Sequence, residues 1–142
     1  MGITGETYEG KTMKKFICVI ILLAVTLGLG VAETVYSSAL YKELNTRLVA
    51  INEDLVKAND SGDFSPAAKK TDEIIDLWEK NKKLSLMITN HSTIRVLDEK
   101  FVSLKAWIEC EGYEDAKALC EVSIALTKDM IDETYPVLGN LF

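Results

Sequence analysis

An all-α fold is what this chain's apolar pattern predicts, and three observations carry that expectation. Four segments place their apolar residues at alternating steps of three and four, the spacing that lines one face of an α-helix. No segment alternates apolar and polar residues with period two, so no sheet is expected. Near the start, the seventeen residues 16–32, FICVIILLAVTLGLGVA, carry no charge and include eleven Leu, Ile, Val or Phe. The expected architecture is an N-terminal transmembrane helix followed by two αα-hairpins in an antiparallel four-helix arrangement.

Residues 1–12, MGITGETYEGKT, are polar, hold three glycines and show no apolar period, so disorder is expected there. Met13-Lys14-Lys15 is a typical opening for a bacterial membrane or secreted protein. Codons for Glu9-Gly10 can spell a purine-rich ribosome-binding site just upstream. Met13 is therefore expected to be the true start, and peptides from residues 1–12 in N-terminal mass spectrometry would refute it.

Residues 14–35 read as the transmembrane helix. Its apolar run rises about 26 Å, slightly under the roughly 30 Å hydrocarbon core. At roughly −0.3 to −0.6 kcal/mol each, its Leu, Ile, Val and Phe favour insertion by about 3 to 7 kcal/mol. Lys15 can snorkel at one end, and Tyr36 and Tyr41 suit the headgroup level at the other. The same residues admit a second reading as a secretory signal: Lys14 and Lys15, an apolar centre, then Gly30-Val31-Ala32 as a small-x-small cleavage site. The run exceeds the roughly 7 to 15 residues usual for a signal, which favours the anchor. Lys11, Lys14 and Lys15 precede the run and the next basic residue is Lys42. Both readings therefore put the N-terminus in the cytoplasm and residues 36–142 outside it.

The extracytoplasmic helical domain, 36–142, begins with the stripe Leu40, Leu44, Leu48, Ile51 and Leu55. No Pro or Gly falls between Val31 and Ser61, so the membrane helix can run on to about Asn59. Ser61-Gly62-Asp63 stops it, and Ser65-Pro66 starts the second helix as N-cap and first position. That helix sets Ala67, Thr71, Ile74 and Trp78 on one face and ends between Leu84 and Asn90. The third carries Ile94, Leu97, Phe101, Leu104 and Ile108 and closes at Cys110-Glu111-Gly112. The fourth is assigned the stripe Ala116, Leu119, Ser123, Leu126 and Met130, ahead of Pro136. Gly62-Asp63-Phe64-Ser65-Pro66-Ala67 and Gly112-Tyr113-Glu114-Asp115-Ala116 form a faint echo. In each, the glycine is expected to end a helix and the alanine to let the next pack closely.

Beyond residue 32 there are 13 basic and 20 acidic residues. That balance argues against nucleic acid, which needs basic patches, and against adhesion to anionic lipid, and it suits a soluble exposed domain. Cys110 and Cys120 flank a helix turn with an offset of about two helical turns, which makes the approach of about 7 Å needed for a disulfide hard to meet. Cys18 reads as a small apolar residue of the membrane run.

The segments Asp76-Leu77-Trp78-Glu79-Lys80, Asn90-His91, Leu104-Lys105-Ala106-Trp107-Ile108 and Leu138-Gly139-Asn140-Leu141-Phe142, in that order, resemble the domain of unknown function 4363 family. These are short bacterial proteins, mainly from Firmicutes, with an N-terminal membrane helix, and the likeness spans Lys14 to Phe142. Acidic residues often follow the family's histidine, whereas Ser92 and Thr93 follow His91 here. The resemblance implies a Gram-positive cell envelope and no known activity.

Four residues stand out as candidates for interaction: His91, Trp107, Leu141 and Phe142. His91 is the only histidine, and no carboxylate stands three or four residues from it as a helical metal pair requires. At the break between two helices it is expected to donate to a free backbone carbonyl, with pH sensing as the alternative role. Trp78 shares the face of Ile74 and is assigned to the core, whereas Trp107 falls off its helix's stripe, which leaves a surface or groove role open. The apolar tail Tyr135–Phe142 is expected to pack across the bundle, with partner binding as the alternative. The acidic clusters Glu53-Asp54, Asp72-Glu73-Asp76 and Asp132-Glu133 read as solvated faces. Without a base beside a nucleophile, a Gly-x-Ser-x-Gly elbow or a phosphate-cradling glycine loop, no enzyme, cofactor or metal is expected. The expected role is a protein-interaction or structural module at the outer face of the membrane. Its expected partners are lipid, through the N-terminal helix, and another membrane protein. The rival reading is a secreted small-ligand-binding or sensing module released by cleavage near Ala32.

Overall fold

The structure, a computed structural model, describes residues 8–88 and 91–134, with side-chain surroundings for 13–87 and 91–134. They form four helices, α1 (Tyr8–Ser61), α2 (Ser65–Ile88), α3 (His91–Glu109) and α4 (Tyr113–Thr134), and no strand. The fold is all-α. Of the residues 1–12 expected to be disordered, 1–7 lie outside the described residues and Tyr8–Thr12 form the start of α1. Adding turns to a formed helix is cheap compared with nucleating one, and the adjoining apolar run supplies the nucleus.

Two compact units divide the chain, Met1–Val35 and Tyr36–Phe142. In the first, the large apolar side chains from Phe16 to Val31 stand 50–69 % exposed, with nothing packed over them. Thr26 Oγ1 donates to Leu22 O at 2.5 Å and Thr34 Oγ1 to Gly30 O at 2.9 Å, so both hydroxyls are satisfied within the helix. That is the internal satisfaction a segment surrounded by hydrocarbon requires.

The second unit buries one core drawn from all four helices. Leu44, Leu48, Ile51 and Leu55 of α1 meet Ala67, Ile74 and Trp78 of α2, the whole stripe Ile94, Leu97, Phe101, Leu104 and Ile108 of α3, and Ala116, Cys120 and Met130 of α4. Cross-links fix the pairing. Arg47 reaches Glu73 at 3.7 Å and Tyr36 Oη donates to Asn81 Oδ1 at 2.6 Å, so α2 runs antiparallel to α1. Asn45 Nδ2 donates to Ile124 O and Thr127 Oγ1, both at 2.9 Å, which closes α4 onto α1.

The stripe assigned to α4 is corrected. Its buried residues are Ala116, Cys120, Ser123, Thr127 and Met130, while Leu119 and Leu126 are only partly buried. Both sets obey the three-four spacing. The small polar set wins because α1 comes close enough for Cys120 Sγ to donate to Leu48 O at 3.3 Å. Ser123 and Thr127 hydroxyls donate to carbonyls four residues back, so neither is left unpaired in the core.

Helix ends show two devices. Gly62, at φ +73°, donates its N–H to Ala58 O at 2.7 Å, a left-handed cap of the kind glycine suits. At the end of α3, Gly112 N donates to Trp107 O at 2.9 Å and Glu111 N to Ile108 O at 3.0 Å, a Schellman motif. There the left-handed residue is Glu111, at φ +55°, rather than the glycine that the echo singled out. Glu111→Gly is expected to stabilise the domain by about 1 kcal/mol by removing the strain of a side chain in that region. A rise of several degrees in the midpoint of thermal unfolding checks it. Ser65 is corrected from N-cap to first helical residue, since Phe64 O accepts the first turn's bond from Ala68 N at 2.9 Å. The capping oxygen is Asp63 Oδ1, which accepts from Ser65 N at 3.0 Å.

Asp54 is also corrected from the solvated acidic set. It is buried, and its carboxylate meets Lys70 Nζ at 2.5 Å and Lys57 Nζ at 3.2 Å. The hydrogen bond from Lys70 holds its pKa below the ordinary 3.8. A depressed carboxylate stabilises the fold above its unfolded value and loses that contribution as pH falls through the folded one. Wild-type stability should therefore drop more steeply below pH ~4 than that of Asp54→Asn, as urea unfolding at stepped pH would show.

Candidate functional site

Trp107 lies outside the apolar stripe of α3, and that displacement makes a groove. Its indole is 42 % exposed. With Ser103 it faces Asp115, Ala118, Leu119 and Val122 of α4 across an open space of about 360 Å³. Leu119 is only partly buried because α4 turns Cys120, Ser123 and Thr127 to the core instead, so the correction to that helix and the existence of the groove have one cause.

The α3–α4 turn shapes one end. A Cβ added to Gly112 would stand 2.8 Å from Trp107 Cε3, inside van der Waals contact. Glycine is required here so that the indole can rest against the backbone, while the positive φ falls on Glu111. Gly112→Ala is expected to displace the indole, and a shifted tryptophan emission with an unchanged helical circular dichroism signal would show it. Tyr113 flanks the turn, with Lys117 Nζ 5.9 Å from its ring centroid. The groove thus has an aromatic wall, an aliphatic lining from α4 and one carboxylate, Asp115.

The structure does not bring His91 to Trp107. His91 opens α3 and Trp107 lies near its end, about 24 Å apart along the axis. The side chain of His91 is exposed, and the hydrogen bond expected of it falls at the break between α2 and α3, where residues 89–90 lie outside the described residues. Leu141 and Phe142 lie outside the described residues, as does the expected packing of their tail. Asp115, Ala118, Leu119 and Val122 were not singled out as site residues in the sequence, where Leu119 was assigned to the core stripe and Asp115 only to the turn echo. The available signal was a second apolar line on α4, Leu119-Val122-Leu126, beside the buried one.

Other chemistry is sparse. Burial pushes the Cys120 thiol up to about 12, so almost none of it is thiolate at neutral pH. Cys18 and Cys110 are exposed, and all three cysteines are free. Among the described residues, no three His, Cys, Asp or Glu gather as a metal site needs.

Comparison with known families matches residues 35–141 to one described as domain of unknown function DUF4363. The chain belongs to the DUF4363 family. No curated protein and no solved structure matches it. The DUF4363 match begins beside Tyr36, where the second compact unit starts, so the family region and the helical unit nearly coincide. The apolar run precedes both, and α1 is the one helix among the described residues long and apolar enough to cross a membrane.

Proposed function

We propose that this DUF4363 protein is a single-pass membrane protein that holds its helical domain at the outer face and there binds another membrane protein without catalysing a reaction. The observation that carries the reading is the contrast between the units. Residues 36–134 complete a core of their own, while the large apolar side chains of 16–31 stay uncovered. Each would gain about 1.5 to 3 kcal/mol on full removal from water, which only lipid or a partner can supply. Lys14 and Lys15 adjoin the run, whereas the next basic residue, Lys42, follows it by ten residues, and this asymmetry orients the N-terminus to the cytoplasm. The domain's acidic balance disfavours nucleic acid as the partner.

The α3–α4 groove is the docking surface in this reading. Aromatic anchors in apolar pockets carry a large share of binding energy, and Trp107 with Leu119 and Val122 offers such a pocket. Asp115 on its edge favours a partner segment with a basic residue beside an apolar one. A photo-crosslinker at Ser103 in intact cells should capture a membrane protein. Trp107→Ala should reduce that capture about 30-fold, as loss of a hot spot does, while the domain's thermal midpoint changes little. Equal capture from the variant would defeat the groove. Mature chains beginning after Ala32 would defeat the anchor.

A further inference from the structure

Three carboxylates without partners stand at the turn end of the α3–α4 groove. Glu111 in the turn, and Glu114 and Asp115 in the first turn of α4, are all exposed. None of them joins an ion pair among the described residues. The nearby cations are taken or turned away. Lys105 meets Asp72 at 2.6 Å and Glu109 at 3.8 Å, and Lys117 meets Glu121 at 3.8 Å. Trp107 follows Lys105 by two residues, a rotation of about 200°, so Lys105 and α2 beyond it, with Lys69 and Lys70, lie on the other side of α3. Lys100 shares Trp107's face but stands seven residues back, about 10 Å along the axis and about a Debye length away. The turn is therefore the negative end of the groove.

Glu111 carries a cost that the turn itself does not require. Its backbone, at φ +55°, is where glycine sits without strain, and the bonds that close the turn are made by backbone atoms. The open groove also decides what kind of partner fits. Trp107 and Val122 stay 42 % and 50 % exposed, whereas a small-molecule site encloses most of its ligand. An elongated segment can lie along such a furrow and keep its outer side in water.

We propose that the groove takes a peptide segment of another protein, with an apolar anchor against Trp107, Leu119 and Val122 and a Lys or Arg against Glu111, Glu114 and Asp115. The proposal deepens the reading of the groove as a docking surface and rests on it. Register follows from helix geometry. Leu119 lies four residues beyond Asp115, about 6 Å along α4. An extended segment covers that rise in about two residues and a helical one in about four, so the basic residue falls within about four positions of the anchor. Glu111 keeps its strained backbone in exchange for this recognition.

The test offers a library of random short peptides to the full chain in detergent micelles, with the Trp107→Ala chain as counter-selection. Selected peptides should carry Lys or Arg within about four positions of a Trp, Phe, Leu or Ile. A fluorescent copy of one of them should bind Glu111→Gln, Glu111→Gly and Asp115→Asn each about threefold more weakly than wild type at low salt, and the difference should fade in high salt. With its basic residue replaced by Gln, the peptide should no longer distinguish wild type from these variants. Misfolding would not mimic the result, because Glu111→Gly is expected to raise the thermal midpoint while it weakens binding. Peptides that depend on Trp107 but show no basic enrichment overturn the proposal and leave the docking surface standing. Equal affinity for wild type and the charge variants does the same. Self-association of the wild-type chain that Trp107→Ala abolishes would put a second copy in the groove and overturn the proposal too. No enrichment over the Trp107→Ala chain overturns both readings.

Discussion

Leu23→Arg is expected to move part of this protein from the membrane pellet into the alkaline carbonate supernatant, and Leu23→Arg with Val25→Arg all of it. Leu23 lies at the middle of the apolar run and is 57 % exposed. A central leucine contributes roughly −0.3 to −0.6 kcal/mol to insertion and an arginine costs roughly 2.5 to 3.5. The exchange therefore removes about 3 to 4 kcal/mol from an insertion term of about 3 to 7. One substitution should leave the helix near balance, and Leu23→Arg with Val25→Arg should abolish insertion. The helical unit should not notice, because its core draws on no residue before Tyr36. The decisive pair of measurements is carbonate extraction together with thermal unfolding of the same variants. Loss of pelleting with an unchanged midpoint is the expected outcome. Pelleting that survives the double variant would mean that something other than lipid covers the run.

How much could be read from the sequence alone depended on what each position had to do. The stripe of α3 was fully legible because Ile94, Leu97, Phe101, Leu104 and Ile108 are all large and apolar, and every one is buried. On α4 the same spacing pointed to Leu119 and Leu126, but the residues facing α1 are Cys120 and Thr127. Hydrophobicity ranks leucine above threonine. Close helix approach, with Asn45 bonded to Thr127 and Cys120 to Leu48, selects the smaller polar residues instead. The same ambiguity hid the α3–α4 groove, although Trp107 itself was visible as an apolar residue off its stripe. Partners that are distant in sequence were illegible for a simpler reason. Nothing local to Asp54 announces that Lys70 will cover it, and nothing local to Glu111 announces its left-handed backbone.

Trp78→Ala should cost about 3 to 5 kcal/mol, the largest loss expected from a single change in the helical unit. Trp78 is 1 % exposed and meets Phe101 edge-on, with ring centroids 5.9 Å apart and planes at 83°. Edge-to-face pairs of this kind add about 0.5 to 1.5 kcal/mol beyond burial itself. Its indole N–H donates to Asp98 Oδ1 at 3.1 Å, and that same oxygen accepts from Lys82 Nζ at 2.7 Å. One carboxylate thus satisfies a buried donor and a partly buried cation, and the hydrogen bond that Lys82 donates to Asp98 holds the lysine's pKa above the ordinary 10.5. Asp98→Asn keeps an acceptor for the indole and should cost little, since Lys82 retains water. Asp98→Ala orphans the indole N–H and should cost about 1 to 3 kcal/mol. The discriminating measurement is a cycle with Trp78→Phe, which keeps an aromatic ring and removes the donor. If the indole bond carries the Asp98 effect, Asp98→Ala should cost about 1 kcal/mol less on the phenylalanine background than on the wild type. Equal costs on both backgrounds would assign the effect to Lys82 instead. A domain of this size has only about 5 to 15 kcal/mol in hand. Loss of the Trp78 side chain alone therefore brings the bundle close to unfolding, with the apolar run untouched.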